Sequence, residues 1–187
     1  MIRVLGIPGS LRRGSYNRGL LYAAQELAPG DVELELFELH DIPLYNADVE
    51  LAGDPEPVAA FKDAIRRADA LLIATPEYNR GVPGVVKNAV DWASRPALAS
   101  PLTGKLVGLM GASTGMGGTA RAQQQIGDAL GFPRATVLDE PRVLVPSAYE
   151  RFDDDIRLVD PATRQAIASL LEALLVVLGA RPSVEAA

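Results

Sequence analysis

Four polar side chains lie close together near the start of the chain, between an apolar run and a segment of helical periodicity. They are Ser10, Arg12, Ser15 and Asn17, within the stretch GIPGSLRRGSYNRGL. Hydroxyl and amide groups donate hydrogen bonds, a guanidinium adds positive charge, and the first turn of a helix presents unpaired N–H groups. We therefore expect this first loop (Gly9–Asn17) to bind an anion at a helix N-terminus. An ordinary strand–helix turn with a serine cap is the alternative.

The kind of anion follows from which motifs the first loop lacks. Neither G-x-G-x-x-G nor G-x-x-x-x-G-K-[ST] follows the opening apolar run. A dinucleotide-binding loop and a P-loop are therefore both disfavoured. A loop rich in hydroxyls suits a terminal monophosphate, because each of its oxygens needs a donor.

A second loop (Thr75–Asn88), with the sequence TPEYNRGVPGVVKN, follows the most apolar predicted strand. Its prolines and glycines indicate a turn, and Tyr78 and Asn79 lie at the tip. An aromatic ring and an amide at this place could flank a planar heterocycle. Turn chemistry alone is the alternative, although it accounts less well for the tyrosine.

The third loop (Gly111–Arg121), GASTGMGGTAR, contains four glycines, so its backbone could lie flat against a ligand. Taken alone this is a weak signal, because glycine-rich loops are often only flexible. Arg121 lies in the first turn of the next predicted helix. It could contact a ligand or a partner subunit, or simply be solvated.

Short apolar runs alternate along the chain with longer segments of helical periodicity. The predicted strands are Ile2–Ile7, Val32–Phe37, Ala70–Ala74, Leu106–Met110 and a last one within Thr136–Val145. The predicted helices are Asn17–Ala28, one opened by Asp54 and Pro55, Pro83–Trp92, Thr119–Leu130, and one capped by Asp160 that ends at Gly179. This alternation predicts an α/β fold, a five-stranded parallel sheet with helices on both faces. We expect one domain over residues 1–180 and a tail at 181–187. The three loops would follow the carboxyl ends of strands, where such sheets bind ligands.

Charge and composition exclude several kinds of protein. The 187 residues carry a formal net charge of −6, which argues against binding to nucleic acid or to an anionic membrane. The chain has no cysteine, which excludes disulfides, thiolate metal sites and a cysteine nucleophile. His40 is the only histidine, which argues against a histidine-rich metal site and a Ser-His-Asp triad. We expect no metal and no membrane span, and a cytoplasmic protein.

With these residues in place, the chain resembles the NADPH-dependent FMN reductase family, a flavodoxin-like group that includes bacterial chromate, quinone and azo reductases. The resemblance rests on GSLRRGSYN (Gly9–Asn17), PEYN (Pro76–Asn79), KNAVDWASRP (Lys87–Pro96) and GTARAQ (Gly118–Gln123). The joint spacing of these segments is more specific than any one of them, and the resemblance covers nearly the whole chain. It implies a strand order of 2-1-3-4-5 and FMN as the cofactor.

The resemblance also implies roles for individual residues. The first loop would hold the FMN phosphate, and the second and third loops would line the isoalloxazine ring. The implied cofactor-binding residues are Ser10, Arg12, Ser15, Tyr16, Asn17, Pro76, Glu77, Tyr78, Asn79, Gly81 and Ser113. No side chain is expected to act as a general acid or base, because the chemistry takes place on the flavin. The segment RGVPGVVKN departs from many relatives, which affects the expected shape of the acceptor pocket.

The implied activity is ping-pong reduction of a small molecule. NADPH or NADH reduces FMN and leaves, and a quinone or similar acceptor (chromate, an azo compound, free flavin) then takes its place. Arg13, Arg80 and Arg121 are expected to meet the nicotinamide cofactor or the substrate, and plain solvation is the alternative. Two other interpretations stay open: a flavodoxin-like electron carrier without NAD(P)H activity, and a non-flavin module that binds another phosphate.

The family resemblance further implies a homodimer or homotetramer. In the last predicted helix, Leu175, Val176 and Val177 widen the apolar stripe beyond what one core face needs. Association through this stripe is one interpretation. A helix end buried in the core is the other.

Overall fold

The computed structural model describes residues 1–179, which form an open parallel β-sheet flanked by helices. The strands are β1 (Ile2–Pro8), β2 (Val32–Leu36), β3 (Ala70–Ala74), β4 (Leu106–Ala112), β5 (Thr136–Val137) and β6 (Val143–Val145). They follow the order β2-β1-β3-β4-β5, with β6 also paired to β4. All of these pairings are parallel. The expected flavodoxin-like order is confirmed, while the predicted tail at 181–187 lies outside the described residues.

The edge beside β4 differs from the prediction of a single fifth strand. β5 pairs with the start of β4 at Leu106 and Val107, and β6 pairs with its end at Met110–Ala112. The intervening chain carries Asp139, Glu140 and Pro141. Proline has no N–H for the ladder, and the two carboxylates favour water over a sheet interior. The predicted strand is therefore two short strands, which gives the described part of the chain six.

Helices cover both faces of the sheet, as a doubly wound fold requires. Within residues 1–179 they are α1 (Tyr16–Leu27), α2 (Ala47–Ala52), α3 (Glu56–Arg67), α4 (Gly84–Ala93), α5 (Ala120–Gly131) and α6 (Pro161–Val177). One apolar core joins α1 and α6 to the sheet, with Leu20 and Leu170 fully buried. The other joins α3, α4 and α5 to the opposite face, around Phe61 and Leu71. No helix in the described part of the chain is long and apolar enough to cross a membrane.

Two Asp-Pro pairs predict helix starts, and a helix begins at each pair, but only one of the two aspartates is the cap. The Asp160 carboxylate caps α6 by accepting hydrogen bonds from the Thr163 N–H at 2.8 Å and hydroxyl at 2.6 Å. At the other pair, α3 begins at Glu56 with Pro55 as its cap. Asp54 instead accepts two hydrogen bonds from the Lys62 ammonium, at 2.7 and 2.8 Å. Lys62 is almost fully buried, and a buried charge without a partner costs far more than an uncapped N–H exposed to water.

The end of α6 divides between core and surface. Leu175 lies in the core, 4% exposed, whereas Val176 and Val177 are more than half exposed. Leu175 therefore needs no partner subunit to explain it, and burial of the helix end is the correct interpretation for this residue.

Candidate functional site

The carboxyl ends of β1, β3 and β4 surround a cleft of about 370 Å³. Cavities of about 300–1,000 Å³ are typical of small-molecule sites. The lining residues are Ser10, Arg12, Ser15, Tyr16, Asn17, Pro76, Glu77, Tyr78, Ala112, Ser113 and Thr114. Nine of these eleven are predicted site residues, and the other two are Ala112 and Thr114. The three loops therefore meet at one end of the sheet, as their positions after parallel strands predict.

The N-terminus of α1 opens into the cleft with its first N–H groups uncapped by a side chain. Ser15 is the N-cap residue, yet its hydroxyl makes no capping hydrogen bond, and the residue is 1% exposed. The first turn of α1 contains no acidic side chain. This end of the helix therefore carries the positive end of the helix dipole with no carboxylate in its first turn to offset it. Such an environment favours an anion over the alternative of a simple serine cap.

Arg12 adds a formal positive charge beside this helix end. Its guanidinium lies 5.2 Å from the centre of the Tyr16 ring, which is within the range of a cation–π contact. Arg12 is itself exposed, and both residues line the cleft.

Arg18 holds the first loop in place, and the sequence analysis did not identify it. Its guanidinium donates to both carboxylate oxygens of Glu38, at 3.0 and 2.7 Å. It also donates to the backbone carbonyls of Arg12 and Arg13, at 3.2 and 3.1 Å. The hydrogen bond with Glu38 is the main cause that raises the pKa of Arg18 above its ordinary value. Since β1 and β2 are neighbours, the order 2-1-3 already brings Glu38, just after β2, near the first loop.

Asn17 has a structural role in addition to its predicted role in binding the phosphate. Its amide nitrogen donates to the Ala112 carbonyl at 3.0 Å, and its amide oxygen accepts from the Ala112 N–H at 2.9 Å. Asn17 is 3% exposed, so these two bonds satisfy backbone groups that water does not reach. Asn17 therefore joins the start of α1 to the end of β4, and one amide N–H remains for a ligand.

A tight hairpin forms the tip of the second loop. Tyr78 and Gly81 exchange backbone hydrogen bonds of 3.2 and 3.0 Å around Asn79 and Arg80. Both central residues have positive φ, 51° and 62°, as a type I′ turn requires. Tyr78 lines the cleft, and its hydroxyl lies within hydrogen-bonding distance of the Ser10 hydroxyl, at 3.3 Å. Asn79 and Gly81 shape the turn but are not among the lining residues.

Glu77 acts on the neighbouring helix. Its carboxylate accepts hydrogen bonds from the backbone N–H groups of Arg121 and Ala122, at 3.0 and 3.1 Å. These N–H groups belong to the first turn of α5, whose own N-cap residue Thr119 makes no capping bond. The carboxylate therefore caps α5 from the second loop, and it stands where the helix dipole favours negative charge.

The third loop is packed closely against the second. A Cβ atom at Gly111 would collide with the Thr119 side chain and the Thr75 carbonyl oxygen, so only glycine fits here. The Ser113 hydroxyl accepts a hydrogen bond from the Gly115 N–H at 3.0 Å, and the Ser113 N–H donates to Val145 of β6. The start of the third loop is therefore tightly packed rather than flexible. It places Ser113 and Thr114 in the cleft.

The three arginines that the sequence suggests for the nicotinamide cofactor lie around the cleft rather than in its lining. Arg13, Arg80 and Arg121 are exposed. Within residues 1–179 none of them takes part in an ion pair. Their guanidinium groups are therefore available to a ligand that approaches the mouth of the cleft. In the same part of the chain, no group of three or more acidic or histidine side chains could hold a metal ion.

Comparison with known families identifies the family of this chain. The model of the NADPH-dependent FMN reductase family matches residues 2–150, which include all three loops. The chain belongs to this family. The expectation from its motifs is confirmed, and family membership identifies it as an oxidoreductase that works with FMN and a reduced nicotinamide cofactor.

Individual relatives agree with the family assignment. The chain is 49% identical to an NAD(P)H-dependent FMN reductase of Pseudomonas aeruginosa over 173 residues, 92% of this chain and 93% of the relative. It is 37% identical to a 2-hydroxy-1,4-benzoquinone reductase of a Burkholderia species over 171 residues, 91% of this chain and 93% of the relative. Among solved structures, the flavoenzyme NAD(P)H:(acceptor) oxidoreductase FerB of Paracoccus denitrificans superposes with a TM-score of 0.86. FerB is 34% identical in sequence, and the match covers 96% of this chain and 98% of FerB.

Proposed function

We propose that the cleft binds FMN with its phosphate at the N-terminus of α1 and its ring beside Tyr78, and that the enzyme reduces quinones with NAD(P)H. One observation supports this most strongly. The uncapped helix end at Ser15 and the aromatic side chain of Tyr78 line one cleft. A ligand that joins a monophosphate to a planar ring needs both an anion site and an aromatic surface.

The residues of the cleft fit the two ends of FMN chemically. Ser10, Ser15 and the backbone N–H groups of the α1 first turn supply hydrogen-bond donors, and Arg12 supplies charge. Tyr78 and Pro76 supply apolar surface for the ring, and Ser113 and Thr114 supply polar groups on the other side of the cleft. The three loops are held in place by hydrogen bonds from Asn17, Arg18 and Glu77.

The protein's part in the reaction is to bind and orient. FMN, when bound, accepts a hydride from the reduced nicotinamide and passes electrons to the acceptor. The exposed arginines at the cleft mouth attract the phosphates of the nicotinamide cofactor. Tyr78 is about half exposed, so both donor and acceptor can approach the same face of the cleft in turn. Such alternation is the physical basis of ping-pong turnover.

A quinone is the acceptor class that the relatives favour. One relative is named a 2-hydroxy-1,4-benzoquinone reductase, and a protein of Escherichia coli that is 39% identical over 168 residues is named a quinone reductase. A flat, conjugated acceptor matches an open cleft with an exposed tyrosine at its mouth.

The phosphate placement is tested with Ser15→Ala. Loss of a hydrogen bond to a charged group is worth about 1.5–3 kcal/mol, so the dissociation constant of FMN should rise about 10- to 100-fold. Riboflavin lacks the phosphate, and its dissociation constant should stay unchanged. Both constants are measured by fluorescence titration, with Ser169→Ala on α6 as the matched control.

Two results would contradict the proposal. Equal weakening of FMN and riboflavin would show that Ser15 does not contact the phosphate. A protein that is colourless after FMN has been added and the unbound flavin removed would favour the non-flavin binding module. Oxidation of NADPH by the purified, flavin-loaded protein in the presence of benzoquinone separates the reductase from an electron carrier.

We also propose a homodimer. Leu44, Leu51 and Leu98 are large apolar side chains that are 83%, 87% and 103% exposed. Leu44 precedes Tyr45, whose ring packs edge-on against Trp92 of α4. A second copy of the chain would remove these side chains from water.

A further inference from the structure

Three consecutive glutamines on α5 have three different environments. Gln123 is fully buried, and its amide nitrogen donates to the Thr119 hydroxyl and to the Val143 carbonyl, each at 3.0 Å. Gln124 is exposed. Gln125 is also exposed as a residue, but its carboxamide oxygen accepts a hydrogen bond from the Val82 N–H at 2.9 Å. Val82 directly follows the hairpin at the tip of the second loop.

The Gln125 carboxamide also lies under the hairpin itself. A Cβ atom at Gly81 would stand 3.1 Å from its oxygen and 3.8 Å from its nitrogen. The hairpin therefore rests on this side chain at Gly81 and is bonded to it at Val82. On the opposite leg, the Glu77 carboxylate is bonded to the first turn of the same helix. One helix thus holds both legs of the hairpin.

The hairpin needs such support because its own conformation is unfavourable. Asn79 and Arg80 both have positive φ. Asparagine tolerates this region, but the second central position of such a turn favours glycine, and here it is an arginine. Non-glycine residues in this region persist where the surrounding structure determines them. Within the hairpin only the two backbone hydrogen bonds between Tyr78 and Gly81 oppose relaxation. The Tyr78 hydroxyl contacts the Ser10 hydroxyl at 3.3 Å, which constrains the side chain. The two contacts from α5 are the ones that constrain the backbone of the two legs.

We propose that Gln125 is a positioning residue, whose carboxamide oxygen fixes the second leg of the hairpin and so sets the position of Tyr78 in the cleft. The inference rests on the proposed placement of the flavin ring beside Tyr78. Gln125 need not touch the flavin to act, since it works through the backbone at Val82.

The role requires a hydrogen-bond acceptor, which dictates the variants. Gln125→Leu has similar size and no acceptor, whereas Gln125→Glu keeps the acceptor oxygen. Gln124→Leu is the matched control, because it makes the same change one residue away on the exposed surface of the same helix.

The first measurement is amide hydrogen exchange of the flavin-free protein, read at Val82. Loss of the bond from Gln125 should speed exchange at Val82 about tenfold in Gln125→Leu. Gln125→Glu and Gln124→Leu should exchange at the wild-type rate. Unchanged exchange in Gln125→Leu, or failure of Gln125→Glu to restore protection, would overturn the proposed bond.

The second measurement uses the FMN-loaded enzyme. In Gln125→Leu we expect kcat/KM for benzoquinone to fall about tenfold and the visible circular dichroism of bound FMN to change, because the ring environment shifts. The dissociation constant of FMN should change less than about threefold, because the residues proposed to bind its phosphate lie on the first loop. Faster exchange at Val82 with unchanged dichroism and kinetics would overturn the positioning role. A wild-type protein that fails to bind FMN would contradict the proposed function alone, since the exchange measurement needs no flavin.

Discussion

At position 80 an arginine occupies a backbone conformation that glycine adopts more easily, at the tip of a hairpin beside the cleft. Its φ is 62°, and left-handed geometry costs a non-glycine residue about 1–2 kcal/mol. A residue kept at such a position is a candidate for a role that depends on its side chain. The exposed guanidinium of Arg80, with that of Arg13 on the first loop, could meet an incoming anion.

We expect the double variant Arg13→Ala/Arg80→Ala to have a higher KM for NADPH, by about three- to tenfold, and an unchanged KM for NADH. The reason is that NADPH carries an additional phosphate, and an exposed ion pair is worth about 0–1 kcal/mol. Steady-state kinetics with both cofactors measure the two KM values. The double variant Arg66→Ala/Arg67→Ala, in the last turn of α3, controls for the loss of two positive charges. Equal increases for both cofactors would show that these arginines do not distinguish the extra phosphate.

Single residues also show where sequence reasoning reaches its limit. The donors of the first loop could be predicted because their chemistry is local: hydroxyls at the start of a helix. The pairing of Asn17 with Ala112 spans 95 residues, and that of Gln125 with Val82 spans 43. Nothing in the types of these residues names such a partner. Their roles follow only from a strand order and a loop path, which bring distant backbone groups together.

Among the elements, helix starts show the same division between local and distant causes. Asp160 caps its own helix and was predictable from the Asp-Pro pair, whereas α5 is capped by Glu77 from another loop. Asp54 does not cap α3 as predicted, because its carboxylate accepts a hydrogen bond from the buried ammonium of Lys62 instead. A motif predicts a cap only when no buried charge competes for the same carboxylate.

The cap of α6 leads to a pH-dependent prediction. Hydrogen bonds from the Thr163 hydroxyl and N–H hold the pKa of Asp160 below its ordinary value. The ionised carboxylate therefore stabilises the folded protein above the unfolded pKa, about 3.9, and this contribution is lost as the pH falls through the lower pKa of the folded state. Asparagine caps helices about as well but carries no charge.

Asp160→Asn should consequently cost about 0.5–1 kcal/mol of unfolding free energy at pH 7, and the difference from wild type should shrink below about pH 4. Urea unfolding at pH 7 and at pH 3 measures both values. Asp128→Asn, at an exposed position of α5, provides the control. A difference that stays constant with pH would contradict the assignment of the effect to the carboxylate charge.

For the whole molecule, the alternation of strands and helices is predictable, because apolar runs and helical periodicity recur along the full chain. The strand order follows from the family resemblance, and the location of the cleft from the rule that such sheets bind ligands at the carboxyl ends of their strands. The sequence pattern does not predict that the last strand is divided into β5 and β6. The division depends on Asp139, Glu140 and Pro141, which lie between two strands of similar composition. The family resemblance implies association, and the apolar stripe of α6 is one candidate surface for it. Leu175 of that stripe belongs to the core, and within residues 1–179 the apolar side chains with the largest exposed fractions lie elsewhere.

We expect a mass of about twice 19.8 kDa by light scattering at micromolar concentration. Leu44→Ser/Leu51→Ser should shift the protein toward the monomer, because the apolar surface that drives association is lost. Phe132→Ser, which changes an exposed ring at the end of α5, should leave the mass unchanged. A monomeric wild type would refute the dimer, and a dimer that persists in the double variant would place the interface on another surface.

The short strands β5 and β6 affect how copies of the chain can meet. An exposed sheet edge invites another strand to pair with it, and natural proteins avoid this with short strands, charges and prolines at the edge. Here that edge has strands of two and three residues, separated by a five-residue segment that contains Asp139, Glu140 and Pro141. The opposite edge, β2, alternates apolar residues with Glu33 and Glu35. Both borders of the sheet thus resist the addition of foreign strands, so the protein can associate through its helices and loops without the hazard of open-ended polymerisation.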